Sequence, residues 1–360
     1  MSKNNLVYFL GTKAQFIKTI PIINATDETK FNINLLDTCQ HYDISRDLIK
    51  TINKKINYIQ LSDNRKSAQS RSLLILWFFK LSVKIIFSNK SKFKSLSTVC
   101  LVHGNTLSTI LGVLWAKKNN LKLVHIEGGY RSFNWLKPFP EEIIRYFTSR
   151  VSDYIICFDE TSKVNLVNMK VKGEIIQVSR NTIIDSLNLD NNDVYVEQKL
   201  TVSIHRNENI FIKKKLKEIV NLLIKLRKDY FEEINWYLHP QTKKALKKNK
   251  LINNLTSNKI VLVDLLPHND FLNEINSSGC VITDGESVIE ECKLLGVPTY
   301  ALIDKLENIN ADGNNIYLQE EENNSYFFDN LTNFREKKIT KNSISPSKEI
   351  FDYIETNLFN

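Results

Sequence analysis

Short apolar, β-rich runs recur along the chain, each separated from the next by a segment of helical character. "NLVYFLG" (5–11), "FNINLLDT" (31–38), "TVCLVHG" (98–104), "LKLVHIEGG" (121–129), "DYIICFD" (153–159) and "GEIIQVS" (173–179) read as strands, with helices near 13–24, 43–54, 106–118 and 139–150. Strands that are apolar throughout, rather than alternating, are buried on both faces, which means parallel sheets covered by helices above and below. After a polar segment at 188–198 the alternation restarts. "KLTVSIH" (199–205), "INWYLHP" (234–240), "KIVLVD" (259–264), "GCVITDG" (279–285) and "VPTYALI" (297–303) read as strands, with helices near 209–229, 241–249, 267–277 and 286–295. The pattern predicts an α/β chain of two Rossmann-like, doubly wound domains facing a cleft, over 1–188 and 189–345, with a last helix in 346–360 packing back on the first. A chain of 360 residues has room for two such cores.

Charge is unevenly spread. The formal net charge is +9, and between Lys50 and Lys94 eleven Lys and Arg face one acid, Asp63. Inside that stretch lies the most apolar run, Leu73 to Phe87, too short and too charged (Lys80, Lys84) to span a bilayer. We read it as a buried helix with solvated basic flanks; the competing reading docks it on anionic lipid at the inner face of a membrane. No recognition motif accompanies the charge, so nucleic acid is not expected. Five scattered cysteines (Cys39, Cys100, Cys157, Cys280, Cys292) show no metal-ligand spacing and read as the reduced thiols of a cytoplasmic protein. The opening "MSKNNLVYFLG" turns polar too soon for a signal peptide.

Ligands of doubly wound sheets sit beyond the carboxyl ends of the strands, so the residues just after each strand carry the functional reading. "GTKAQFIK" (11–18) offers a glycine before a helix, where backbone N–H groups approach an anion and Lys13 or Lys18 adds charge; a plain turn with a solvated lysine is the alternative. His103, Gly104 and Asn105 precede a helix that Asn105 or Thr106 would cap. Glu127 follows an apolar run and precedes Gly128 and Gly129, a costly place for a carboxylate without a partner. Pro140, Glu141 and Glu142 open a helix in the ordinary way, and with Arg145 they read equally as a solvated ladder. His205 and Arg206, His239, and the Asp284-Gly285 turn end strands of the second half.

Taken together, these pieces resemble the non-hydrolysing UDP-N-acetylglucosamine 2-epimerases, which share the architecture of GT-B glycosyltransferases. "GTKAQFIK" resembles the family's Gly-Thr-Arg-Pro-Glu-x-x-Lys loop, "DTCQH" (37–41) its Thr-Gly-Gln-His, and "VHGNTLST" its Val-His-Gly-Asp-Thr. "HIEGGYRS", "PFPEEIIR", "RNTIID" (180–185), "IHR", "HP" (239–240) and "TDGESVIEECKLLGVP" continue the series in order. The resemblance implies elimination of UDP across C1–C2 and its re-addition to give the mannosamine epimer, for surface-polysaccharide precursors. It places Glu127, Glu141 and His205 on catalytic positions, together with Asn105, where the family has Asp. It implies nucleotide and sugar contacts at Lys13, Lys18, Gln40, His41, Arg131, Arg145, Asn181, Arg206, His239, Asp284, Gly285, Glu286 and Ser287, with Glu290 and Glu291 at the ribose. It implies no metal, no nicotinamide and a homodimer.

The departures keep alternatives open. An amide at 105 hydrogen-bonds a hydroxyl but neither accepts a proton as a base nor carries charge. Lys13 and Gln15 replace the family's Arg and Glu, Gly285-Glu286-Ser287 replaces its Ser-Gly-Gly turn, and the basic residue expected near 304–315 is missing. Three readings therefore compete: a 2-epimerase, a glycosyltransferase on the same scaffold with a lipid-linked or polysaccharide acceptor, and a silent or hydrolysing nucleotide-sugar binder.

Overall fold

The computed structural model describes residues 3–62, 71–89, 93, 97–135, 139–187, 195–303, 313–319, 324–336 and 345–359. Two compact units make up the chain, Met1–Ser186 with Asn342–Asn360, and Leu187–Lys341. The junction expected at 188/189 lies outside the described residues, as do most of the basic residues expected or missed around 63–70, 90–96 and 304–312.

In the first unit β1 (Asn4–Leu10), β2 (Phe31–Asp37), β3 (Ile56–Gln60), β4 (Thr98–His103), β5 (Lys122–Ile126), β6 (Tyr154–Cys157) and β7 (Glu174–Gln177) form a sheet ordered β3-β2-β1-β4-β5-β6-β7. Its helices are α1 (Lys13–Ala25), α2 (Tyr42–Ile49), α3 (Arg71–Phe87), α4 (Leu107–Lys118), α5 (Glu141–Val151), α6 (Glu160–Asn168) and α7 (Ile183–Ser186). In the second unit β8 (Val196–Ser203), β9 (Glu233–Leu238), β10 (Ile260–Asp264), β11 (Ser278–Thr283), β12 (Thr299–Ala301) and β13 (Ile316–Leu318) are ordered β10-β9-β8-β11-β12-β13. Its helices are α8 (Asn207–Ile210), α9 (Lys213–Asp229), α10 (Pro240–Lys248), α11 (Ile252–Ser257), α12 (His268–Asn276), α13 (Glu286–Leu295), α14 (Asn324–Asp329) and α15 (Leu331–Phe334), and α16 (Pro346–Leu358) ends the chain. Every strand pair is parallel.

The all-apolar strands serve two cores at once. Along β1, Leu6, Tyr8 and Leu10 enter one buried cluster, while Val7 and Phe9 enter a second on the opposite face. Each such side chain contributes about 1.5–3 kcal/mol by leaving water. The strand order reverses between β1 and β4 in the first sheet and between β8 and β11 in the second, so each unit has one switch point where ligands settle. The strands β3 and β13, to which the sequence reading assigns nothing, are a half-buried edge and a three-residue edge, where hydrophobic patterning is weakest.

Helix α16 belongs to the first core although it ends the chain. Ile350, Phe351, Ile354 and Leu358 are buried in the cluster that holds Leu6, Phe16 and Phe31. The Phe31 ring meets Phe351 edge-on at 5.6 Å and Phe359 at 5.1 Å. Asp185 Oδ2 accepts from Ser345 Oγ (2.7 Å) and Ser347 N (2.9 Å), fixing where the helix starts.

Helix α3 is not the buried helix that its apolar sequence predicts. Trp77, Leu81 and Ile85 pack into the second core, but Leu73, Ile75, Leu76, Phe79, Val83, Ile86 and Phe87 are exposed, Phe87 by 81%. A helix apolar all round has only one stripe that a sheet can cover. Among the described residues no helix is long and apolar enough to cross a membrane.

Replacing Ile354 by Ala removes buried methyl groups from the first core alone. We expect about 2–4 kcal/mol of destabilisation, seen as earlier urea unfolding of the first unit by hydrogen exchange. Unchanged protection there would show that α16 does not support that core.

Candidate active site

In the first unit the switch point is lined by the ends of β1, β4 and β5. Glu127, one residue past β5, has φ +67, a left-handed backbone that costs a non-glycine residue about 1–3 kcal/mol. Its carboxylate is tied on several sides. Lys18 Nζ of α1 donates to Oε1 at 2.6 Å, and Asn181 Nδ2 donates to the same oxygen at 3.0 Å. His103 Nε2, buried and without a hydrogen-bond partner among the described residues, lies 3.6 Å from Oε2. Gly104 (φ +66) passes so close that a Cβ there would stand 3.3 Å from Oε2.

Burial alone would raise the Glu127 carboxyl, but the Lys18 ammonium overrides it and holds the group ionised, well below the ordinary carboxylate range. Burial also pushes His103 down to about 4, so at neutral pH it is uncharged and Lys18 carries the electrostatic load. Thr19 Oγ1 lies 2.9 Å from His103 Nδ1, which orients the ring. His125 is likewise neutral, spent on Gly104 O and Ser149 Oγ.

A second cluster surrounds the start of α5. Glu142 is fully buried between two arginines: Arg131 Nε donates to Oε1 at 2.5 Å, and Arg145 Nη1 lies 3.6 Å from Oε2. Ser132 N also donates to Oε2, at 3.0 Å. Arg131 is framed by the rings of Phe133, Trp135 and Tyr146 at 5.1–5.5 Å. In the amide orientation that hydrogen bonding selects, the Asn105 side-chain oxygen accepts from Arg145 Nε (2.5 Å) and Nη2 (2.8 Å). A single amide oxygen of Asn105 thus accepts from two nitrogens of the guanidinium without neutralising its charge. Glu141, half-buried beside this cluster, makes no hydrogen bond or ion pair among the described residues. The solvated-ladder reading therefore fails at Glu142, whose burial demands the two arginines.

The first glycine loop does something other than expose its N–H groups. Gly11 N and Thr12 N donate to Gln15 Oε1 (3.0 and 3.1 Å), and Lys13 N donates to His41 Nδ1 (3.2 Å). Gln15 Nε2 reaches His103 O and Thr109 Oγ1, and Gln40 Oε1 accepts from Ser108 Oγ, so β1 and β4 are stitched together at their ends. The anion-cradling expectation for Gly11 gives way to this internal satisfaction.

In the second unit Asp284, past β11, has no exposure. It accepts from His205 N, Arg206 N and Asn209 Nδ2 at 2.8–3.1 Å. Burial would raise its carboxyl; these donors and the nearby His205 ring hold it below the ordinary range. Asp284 is a brace for the 205–209 loop, not a surface offered to a ligand. The His205 ring stacks on His239 (centroids 4.6 Å apart) and packs against Gly285. Arg206 lies 3.6 Å from Glu286, which offsets the acid at the start of α13, while Ser287 is exposed beside it. No side chain caps the N-terminus of α13, whose helix dipole favours an anion there. Glu290 and Glu291 are buried, and Glu291 Oε1 lies 2.8 Å from His268 Nε2.

The structure thus gathers Lys18, Glu127 and Asn181, then Asn105, Arg131 and Arg145, in the first unit, and His205, Arg206, His239 and the 284–287 turn in the second. Sequence reasoning missed Gln15, His103, Glu142, Asn209 and His268 as site-building residues. Of these, Gln15, His103 and Glu142 stood within the quoted motifs, and Asn209 and His268 left no trace in the pattern. Among the described residues no three His, Cys, Asp or Glu side chains cluster as a metal ion would need.

The Lys18–Glu127 pair makes stability depend on pH. In the native protein the depressed Glu127 carboxyl adds stability above its unfolded value near 4.5, lost as pH falls through the folded value. With Lys18→Met the sign reverses, because burial raises the unpaired carboxyl. We expect about 3–5 kcal/mol of destabilisation at pH 7.5, shrinking toward pH 5 as Glu127 protonates. Denaturant melts at the two pH values check this; a pH-independent loss would overturn the pairing.

Comparison with known proteins follows the same motifs. A family model described as UDP-N-acetylglucosamine 2-epimerase matches residues 24–351. A UDP-N-acetylglucosamine 2-epimerase of Methanocaldococcus jannaschii is 30% identical over 322 residues, covering 84% of each chain. A crystal structure of the epimerase from that organism in complex with UDP-GlcNAc and UDP superposes with TM-score 0.73 at 25% identity, over 98% of this chain and 99% of that one. The fold is also that of the Neisseria meningitidis epimerase bound to UDP-GlcNAc, with TM-score 0.75 and 23% identity over the whole of both chains. The chain belongs to the UDP-N-acetylglucosamine 2-epimerase family.

Proposed function

We propose that the protein interconverts UDP-N-acetylglucosamine and its mannosamine epimer. A base removes the C2 proton, the freed electron pair forms the C1=C2 bond, and UDP leaves with the C1–O pair. UDP then re-bonds at C1 as C2 takes a proton on the opposite face. Every hydrogen in this route moves as a proton and none as a hydride, so the steps call for no nicotinamide. The observation that carries the reading is Glu127, an ionised, buried carboxylate on strained backbone at the switch point of the first sheet. Strain and a perturbed carboxyl at one position are the marks of a group held for chemistry.

Glu127 and Glu141 share the proton transfers in this reading, the first positioned by Lys18 and Asn181, the second unencumbered. Arg145 and Lys18 steady the developing charge. In the second unit His205, Arg206 and the N-terminus of α13 receive the diphosphate, and Glu290 and Glu291 the ribose. Asn105 acts as a positioning residue: its oxygen, accepting from two nitrogens of Arg145, orients the guanidinium and leaves its charge available. The glycosyltransferase alternative is not favoured by the company this chain keeps.

The exposed face of α3 supports self-association. Ile86 and Phe147 line, with Val113, Leu114, Lys117, Lys118 and Val151, an apolar groove of about 330 Å³. A lipid surface would need free cations there, yet three are engaged within the chain: Lys84 on Leu61 O, Lys117 on Asp153, and Lys118 on the last carbonyls of α3. A second copy of this chain, bringing the same apolar face, fits better than anionic lipid.

Solvent exchange at C2, followed by NMR in D₂O, tests the chemistry. Glu127→Gln and Glu141→Gln should each slow exchange by about 10²–10⁴-fold with binding retained, whereas Asn105→Asp should change it by less than about tenfold. Wild-type exchange in either glutamine variant would remove that residue from the proton pathway. For the interface, sedimentation of the native protein should give a dimer, and Ile75→Glu with Phe79→Glu a folded monomer. A native monomer, or a variant that stays dimeric, rules out this face.

A further inference from the structure

The buried pair of His268 and Glu291 is not explained by the core around it. His268 opens α12 directly after Pro267, and Glu291 lies on the α13 helix that follows β11. Their side chains are only 5% and 4% exposed, and Nε2 to Oε1 is 2.8 Å. The strand leading to α12 is β10 and the strand leading to α13 is β11, and these are not neighbours in the sheet. The contact therefore bridges two elements at the carboxyl-terminal side of the sheet, where a staple of apolar side chains would cost less desolvation. The asymmetry within the carboxylate is informative. Oε1 is held by the imidazole, while Oε2 has no partner among the described residues.

We propose that His268 is a positioning residue for nucleotide recognition: by holding Oε1 it aims Oε2 of Glu291 at a ribose hydroxyl. This rests on the reading of Glu291 as a ribose contact. A carboxylate whose two oxygens are both free rotates about its last torsion and presents a hydroxyl acceptor in many directions. One oxygen anchored by a ring nitrogen leaves the other in a single direction, so less ordering is needed when the nucleotide arrives. The imidazole serves because it is a donor on a rigid ring, itself fixed by the start of α12.

The experiment is calorimetric titration of UDP, 2′-deoxy-UDP and 3′-deoxy-UDP into the native protein and four variants. His268→Ala removes donor and ring; His268→Phe keeps the ring volume without the donor, and His268→Gln keeps a donor near the same place. Glu291→Gln tests the underlying contact. We expect His268→Ala and His268→Phe to weaken UDP by about tenfold while leaving one of the two deoxynucleotides within about twofold of native. His268→Gln should recover most of the loss. Equal weakening of all three nucleotides, or no weakening, would overturn the proposal and leave His268 as a staple between helices. If Glu291→Gln keeps the full preference of the native protein for UDP, or the native protein has no such preference, the ribose contact itself fails. A selective loss in Glu291→Gln with none in either donor-free variant overturns the role of His268 alone.

Discussion

A parallel sheet wound outward from its middle leaves one place that its crossover helices cannot cover, the point where the strand order turns back. This chain builds that place twice, between β1 and β4 and between β8 and β11. Backbone polar groups at such a gap must find partners without a neighbouring strand, and both units solve this with one buried side chain. In the first, Gln15 takes the N–H groups of Gly11 and Thr12 and gives its own to His103 O. In the second, Asp284 gathers the N–H groups of His205 and Arg206. With the ends closed in this way, the remaining polar side chains are free to be arranged for a ligand.

Two glutamates of the first unit, Glu127 and Glu142, show how burial sorts similar groups. Glu127 has one lysine and one amide; Glu142 has two arginines and a backbone N–H. Removing a buried charge's partner costs more than the pair contributes net, so each cluster must be complete. Around Arg145 the completion comes from Asn105. A carboxylate there would bring the two arginines and Glu142 to neutrality and share one guanidinium between two acids. The amide satisfies the donors equally well and leaves Arg145 with charge to spare for an anionic ligand.

Much of this was legible in the order of residues. Apolar runs without alternation pointed to parallel sheets, and the residues after them proved to stand at the sheet ends, where Glu127 and Lys18 come together. The limits were equally physical. Glu141 and Glu142 differ by one helical step, and only the packed helix tells which is buried. His268 sits in a polar stretch with no partner nearby in sequence, since Glu291 comes from another helix. For α3, hydrophobicity alone implied burial, because a sequence does not record how narrow a stripe of the helix the core beside it covers.

The backbone strain at Glu127 closes the argument about why this position is a carboxylate at all. Its neighbour across the sheet end, Gly104, also has a left-handed backbone, so β4 and β5 both end by turning sharply over the switch point. Glycine tolerates that turn freely; glutamate does not. Here one position keeps a strained, desolvated acid, held by the β5–β6 hydrogen bond from Gly128 N to Ile156 O and by the Lys18 ammonium. The Lys18 ammonium offsets the burial and keeps the group ionised on a strained turn, which points to a side chain held there for its charge.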